Sequence, residues 1–382
     1  MKIVIATDSL KGSLSSLEAG NAIRRGVRTV YPRSEVLVRP LADGGEGTVE
    51  ALTTGIGGQL NTISVTGPLG SPVDCTYGIL EDGTTAVIEM SAAAGITLVP
   101  ESARNPLFTT TYGVGEMICD AIRKGCRSFI VGIGGSATND GGAGMLQALG
   151  YDFLDAAGQP IAAGAIGLKD LASISAAHVV PELADCTFRI ACDVKNPLCG
   201  PEGCSAIYGP QKGATPEMIT EMDAWLGRYA ELAKSVSEKA DPGIPGTGAA
   251  GGMGFAFLSF TNAVLEPGIQ IVLEATHLED WLRDADFVIT GEGRLDEQTA
   301  MGKAPIGVAA LAKKHGCRVI AFAGCVTPEA GVCNQHGIDA FFPILRSAMS
   351  LQEAMDPETA AANLSAAAEQ VFRLIHSAEE VF

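Results

Sequence analysis

Five basic and five acidic residues lie inside or beside short Gly-rich segments that follow apolar runs. The basic set is Lys11, Lys195, Lys212, Arg294 and Lys303; the acidic set is Asp8, Asp43, Asp193, Glu292 and Asp296. The segments are DSLKGS (8–13), ADGGEGT (42–48), GIGGSATNDGG (132–142), CDVKNPLCGPEG (192–203), YGPQKGA (208–214), GTGAAGGMG (246–254) and GEGRLDEQTAMGK (291–303). Glycine lets backbone N–H groups approach an anion, and a following helix N-terminus adds partial positive charge. Strand-to-helix turns need Gly and an Asp or Ser cap in any case, so no single loop carries the argument; seven together do. Cations, metal-binding carboxylates and a base for an acceptor hydroxyl are the parts that phosphoryl transfer to a hydroxyl requires.

Loops of this kind bind ligands when parallel strands deliver them to one edge of an open sheet. The pattern predicts such strands. KIVIATD (2–8), EVLVRPLAD (35–43), ADFVITGEG (285–293), CRVIAFAGC (317–325) and IDAFFPIL (338–345) are apolar runs, and helical spacing over 14–30 and 304–315 separates some of them. Residues 59–65, 72–80 and 84–90 break this rhythm; turn signals and an Asp-Gly pair predict local antiparallel pairing. SFIVGIGG (128–135) and FRIACDV (188–194) are further buried strands, and 357–376 is an amphipathic helix. The fold class expected is α/β in two domains. A discontinuous Rossmann-like parallel-sheet domain, residues 1–65 plus 285–382, carries an inserted mixed α/β domain, residues 66–284.

Composition narrows the partners. The chain has 382 residues with 44 acidic against 26 basic side chains, a net charge of −18. Nucleic acid and anionic membrane surfaces would repel it. Its ten cysteines form no C-x-x-C pair, and with five scattered histidines they suggest reduced thiols in a cytoplasmic protein rather than zinc or disulfides. MKIVIATDSLKG reads as a first strand, not a secretory leader. Residues 242–265 are uncharged and long enough to span a bilayer, but six Gly and two Pro favour a Gly-rich loop feeding a buried helix. Homo-oligomerisation is compatible with the sequence.

Familiar motifs are absent. The Walker A pattern fails, because Ala304 follows Gly302-Lys303 and Glu297 replaces the first Gly. No H-E-x-x-H, kinase H-R-D or G-x-S-x-G occurs. A G-x-G-x-x-A at Gly132, Gly134 and Ala137, with Asp152 and Asp155 at about the ribose-binding distance, offers an alternative: an NAD(P)-dependent oxidoreductase using the GIGGSA segment. The polar run Thr138-Asn139-Asp140-Gly141-Gly142 argues against it.

DSLKGSLSS, LADGGEGT, GIGGSATNDGGAG, CDVKNPLCG, YGPQKGA, GAAGGMG and VITGEGRLDEQTAMGKAPIGVA, in this order, resemble the bacterial glycerate kinase family of the glycerate 2-kinase type, from residue 1 to about 375. Leu10, where Phe is common, and Cys204 with Tyr208 are departures on the apolar side. The resemblance implies ATP- and Mg²⁺-dependent phosphorylation of D-glycerate, giving 2-phosphoglycerate or 3-phosphoglycerate, in a cleft between two α/β domains. A kinase of another small hydroxy or sugar acid is the neighbouring alternative.

Residue chemistry, not the resemblance, assigns the roles. Asp193 is the expected base or hydroxyl-orienting carboxylate, since a charge ending an apolar strand before Lys195-Asn196-Pro197 is an expensive cap. Lys11 and Lys212 are expected to meet the phosphates or the glycerate carboxylate. Asp8, Asp43 and Arg294 are expected to bind substrate, and Asp296 the metal. Gly134, Gly135, Ser136 and Asn139 are expected to cradle the nucleotide phosphates.

Overall fold

Short apolar runs bounded by glycine and aspartate become strands, and the amphipathic stretches between them become helices. The computed structural model describes residues 1–379, and the chain divides into two compact units. The fold is mixed α/β, with one parallel and one mixed sheet.

The first unit comprises Met1–Asp43, Glu50–Ile56 and the chain from Val272 onward. Its five strands run in the order Ala340–Pro343, Arg318–Val326, Phe287–Leu295, Lys2–Ile5 and Glu35–Val38, every neighbouring pair parallel. Parallel sheets are covered on both faces, which is why Ile3, Val4 and Ile5, and Val288 and Ile289 beside them, are all buried. Helix Ser16–Val30 starts at a capping box, in which Ser15 and Glu18 satisfy each other's backbone N–H groups. It turns Ala19, Ala22, Ile23 and Val27 into the core. A Cβ on Gly26 would stand 2.1 Å from the carbonyl oxygen of Ser365, so this helix and the last one, Pro357–Glu379, meet backbone to backbone. The Ser16 hydroxyl donates to the Thr7 carbonyl at 2.6 Å and accepts from the Leu41 N–H at 2.8 Å. One side chain thereby fixes the two loops that carry Asp8 and Asp43.

The second unit comprises Gly44–Val49 and Gly57–Ile271. Its main sheet has six strands in the order Ala263–Glu266, Thr187–Ala191, Ser128–Gly132, Thr85–Glu89, Pro72–Leu80 and Gly58–Thr66. The first four are mutually parallel, and Pro72–Leu80 runs antiparallel to both of its neighbours, Thr85–Glu89 and Gly58–Thr66. Asp82 closes the expected Asp-Gly turn by accepting the N–H groups of Thr84 and Thr85. Asp152–Leu154 and Ser173–Ser175 form a small antiparallel ribbon. The core stacks Phe129 on Phe188, with ring centroids 4.7 Å apart, against Phe257. Phe257 belongs to the segment Ala249–Phe260, kinked at the left-handed residues Ala250, Gly251 and Gly252 and nearly all buried, and no described helix is long and apolar enough to cross a membrane. All ten cysteines are unpaired thiols, six of them buried.

Candidate functional site

In the first unit, strands Glu35–Val38, Lys2–Ile5 and Phe287–Leu295 are adjacent and parallel, so they deliver their last residues to one edge. Pairing continues past the first strand, where the Asp8 N–H donates to the Gly291 carbonyl at 2.9 Å. Asp8 is buried, and its carboxyl is pushed up from 3.8 to about 7. Burial is the main cause, followed by the negative charge of Asp43; Glu292 adds to it, while the Ser9 N–H and Lys11 oppose it. Glu292 is raised by burial against the 2.6 Å hydrogen bond it accepts from the Thr299 hydroxyl. Lys11 Nζ lies 3.0 Å from Asp43 Oδ2. Burial lowers the Lys11 pKa, but Asp43, Asp8 and Glu292 more than offset this and hold it above its ordinary value. Asp8, Lys11 and Asp43 thus share one edge with Glu292.

Asp296 lies just past this edge and closes a turn: Oδ1 accepts from the Gln298 and Thr299 N–H groups, and Oδ2 is 3.3 Å from Arg294 Nε. Lys303 Nζ is 4.0 Å from Oδ1. Among the described residues no three His, Cys, Asp or Glu side chains gather closely enough to hold a metal ion by themselves. Mg²⁺ needs less than that, since one or two carboxylates suffice when phosphates and water complete its shell. Of the four lone-pair sites on Asp296, three are engaged by these partners, so one oxygen retains capacity for a cation.

The second unit is built differently. Strand Ser128–Gly132 feeds a loop running to Gly142, where the short helix Ala143–Ala148 begins. Gly134 and Gly135 are exposed, whereas every residue from Ser136 to Gly142 is buried. The four expected phosphate contacts therefore separate. Ser136 Oγ accepts from Lys212 Nζ at 2.8 Å, and Asn139 Nδ2 donates to Ser205 Oγ at 2.8 Å; these two side chains hold the loop, and the two glycines face outward. Lys212 is buried and donates also to the Thr138 carbonyl at 2.6 Å. Burial pulls its pKa from 10.5 down to about 8.

Asp193 departs from the premise that singled it out. The strand ends at Ala191, two residues earlier, and Asp193 is exposed. Its Oδ1 accepts from the Gly268 N–H at 3.2 Å. Water solvates its charge, so the cost argued for a charge at the end of a buried strand does not arise.

Sequence reasoning missed the groups that shape these loops. Asp140 accepts four hydrogen bonds, from the Thr111 N–H and hydroxyl and from the N–H groups of Gly142 and Gly144. Glu89 accepts from the Val49 N–H at 2.8 Å, at the start of helix Thr48–Ile56. Both helices that follow these Gly-rich loops thus have a protein carboxylate at their N-termini, where an anion had been expected. Asp140 has a legible signal, a carboxylate three residues before the helix Ala143–Ala148; Glu89, forty residues from its partner, has none.

Comparison with known proteins places these two arrangements. A sequence profile described as the glycerate kinase family matches residues 3–376. The chain belongs to the glycerate kinase family. It is 51% identical over 354 residues to the glycerate 2-kinase of Escherichia coli K12, covering 93% of each chain. It is 49% identical over 375 residues to the glycerate kinase of Haemophilus influenzae, covering 98% of this chain and 99% of the relative. A crystal structure assigned as glycerate kinase 2 of Salmonella typhimurium LT2 superposes with a TM-score of 0.92 at 49% identity, over 100% of this chain and 99% of the other. Kinases of this family are phosphotransferases acting on an alcohol group. The oxidoreductase alternative is thereby set aside, and the structure gives a physical reason: after Gly132 and Gly134 the chain stays in a loop until Ala143, and Asp140 sits where a pyrophosphate would need helix N–H groups.

Proposed function

We propose that this chain transfers the γ-phosphoryl group of ATP to D-glycerate, giving 2-phosphoglycerate, in the cytoplasm. The observation that carries this reading is the near-full-length likeness to a relative named glycerate 2-kinase. The acid–lysine edge of the first unit and the glycine loop of the second both supply groups such a reaction needs.

In this reading the residues described above take the following roles. Lys11 and Arg294 recruit the glycerate carboxylate, a small anion that a chain of charge −18 must attract with dedicated cations. Asp43 orients Lys11 through their ion pair. The N–H groups of Gly134 and Gly135 meet the phosphates. Asp296 holds Mg²⁺, which when bound neutralises charge on the transferring phosphoryl oxygens. Two carboxylates compete for the hydroxyl proton: Asp193, which is exposed, and Asp8, whose affinity for a proton is matched to neutral pH.

A coupled ADP-release assay with D-glycerate and Mg·ATP tests the reading, with ³¹P and ¹H NMR of the product. Glycerate-dependent ADP release and a phosphate on carbon 2 are expected. A phosphate on carbon 3 would correct the product alone. No release from folded protein with Mg²⁺ present would overturn the substrate and send the search to other hydroxy acids.

A further inference from the structure

Lys212 is an unusual place for a phosphate-binding cation. It ends the short turn Pro210–Lys212, and the next residue, Gly213, is left-handed with φ +92°. A Cβ on Gly213 would stand 2.3 Å from the Arg104 carbonyl oxygen, so the turn is pinned from behind. Lys212 is 2% exposed, and two of its three N–H donors are spent on Ser136 and on the Thr138 carbonyl. Both acceptors lie in the 134–142 loop.

Asp140 anchors the other end of that loop. Through Thr111 it is tied to a run of three buried threonines, of which Thr109 donates to the Ala137 carbonyl at 2.8 Å. Gly141 donates to the Gly251 carbonyl at 2.9 Å. From residue 136 to 144 the loop is therefore held by buried partners, and only Gly134 and Gly135 are left exposed.

We propose that Lys212 and Asp140 are positioning residues, which fix the 134–142 loop so that the Gly134 and Gly135 N–H groups point at the nucleotide phosphates, without touching the nucleotide themselves. The proposal rests on the kinase reading above. It explains why a fully buried cation and a fully buried carboxylate are kept where apolar side chains of similar volume would be less costly. The ammonium is needed because a neutral amine holds the Ser136 oxygen and the Thr138 carbonyl less strongly.

The groups acting on Lys212 are Cys204 and Asp140. Burial pushes the Cys204 thiol up to about 11 and holds Tyr229, the phenol beside Asp140, well above its ordinary value. Burial raises the Asp140 carboxyl as well, against the hydrogen bonds from Thr111, Gly142 and Gly144, whereas Lys212 is drawn down to about 8. A folded-state pKa lowered from 10.5 to about 8 means that, between those values, the unfolded chain keeps a proton the folded chain has shed. This group's contribution to stability therefore rises with pH across the window. A lysine that served stability alone would cost the enzyme nothing there. A positioning lysine loosens its grip on the loop.

The test measures KM for ATP, KM for D-glycerate and kcat from pH 6.5 to 9.5, for the wild type and for Lys212→Met and Asp140→Asn, with thermal unfolding in the same buffers. The wild-type KM for ATP is expected to rise about tenfold or more above pH 8, the scale of a lost charge-assisted hydrogen bond, while KM for D-glycerate moves little. Lys212→Met is expected to carry the raised KM for ATP already at pH 7, with no further alkaline rise; Asp140→Asn is expected to raise it in the same sense. A wild-type KM for ATP that stays flat to pH 9.5, or a Lys212→Met enzyme with normal KM for ATP at pH 7, overturns the proposal. If Lys212→Met does not fold, the wild-type profile decides. If no glycerate-dependent ADP release is found, the kinase reading has failed separately, and calorimetric binding of ADP at pH 7 and 9.5 reads the loop: weaker binding at pH 9.5 supports the proposal, and equal binding overturns it.

Discussion

Both units gather loops at the C-terminal ends of parallel strands, but they arm those loops in opposite ways. The first unit presents ionisable side chains on turns, where Lys11 and Arg294 are more than half exposed. The second unit presents bare backbone and buries its charges behind it, at Lys212 and Asp140. Ion pairs such as Lys11–Asp43, one partner in water, are worth roughly 0–1 kcal/mol, whereas breaking a buried charge network costs about 3–5 kcal/mol. The same chemical task, holding an anion, therefore leaves different traces. Substitutions along the acidic edge should change turnover at little cost in stability, and substitutions behind the glycine loop should change both.

Asp8→Asn is the sharpest way to break this contrast. If Asp8 accepts the hydroxyl proton, kcat falls by about two to four orders of magnitude. Asparagine keeps an oxygen for the Ser9 N–H, so the fold survives. A carboxyl raised to about 7 contributes stability that is full below pH 3.8 and lost as pH rises through 7. The variant lacks this loss, so its melting temperature at pH 8 is expected to exceed that of the wild type, and the gain to shrink toward pH 4. Near-normal turnover in Asp8→Asn together with a collapse in Asp193→Asn would hand the proton to Asp193.

A pair of glycines sharpens the comparison at the next scale. Gly251 has φ +67°, and its Cβ would meet the Thr138 carbonyl oxygen at 2.0 Å, within the second unit. Gly302, in the first, has φ +106° and open space around it. Gly251→Ala combines backbone strain with a collision against the glycine loop, and about 3 kcal/mol or more of stability should be lost. Gly302→Ala carries only the left-handed penalty, about 1–2 kcal/mol. Urea unfolding of the two variants checks the difference; equal losses would mean that the loop yields. The smallest effect expected is that of Ser15→Ala, which removes the capping box of helix Ser16–Val30 and costs about 1 kcal/mol, measurable by the same unfolding.

The sequence made the strands plain because both sheets rest on apolar runs whose ends are marked by glycine and aspartate. It was less informative where pairing is long-range. The pattern assigns residues up to 65 to the first domain, yet the strand Gly58–Thr66 pairs antiparallel with Pro72–Leu80 in the second unit, since a short turn holds the two together. Asp8, Lys11 and Asp43 were legible at the first edge, because parallel strands bring their C-terminal loops side by side. The apolar run 188–194 reads as a strand reaching Asp193, whereas the strand ends at Ala191. The loop's supports were hidden for a different reason. Lys212 lies 76 residues from Ser136, and Asp140 lies 29 residues from Thr111, and no local pattern announces which polar residue will be buried beside which.

The first strand has a further consequence, for the order in which the molecule is made. Ile3 pairs with Phe287, 284 residues later, whereas every strand of the second unit is complete by Glu266. At about 5–20 residues per second of synthesis, the opening strand has Glu35–Val38 beside it early but waits roughly 15–60 s for its second neighbour. The second unit is then free to fold during translation, while the edge that carries Asp8 can close only near the end of the ribosome's work. During that interval Ile3, Val4 and Ile5 are paired with Glu35–Val38 on one side and present an unpaired apolar edge on the other.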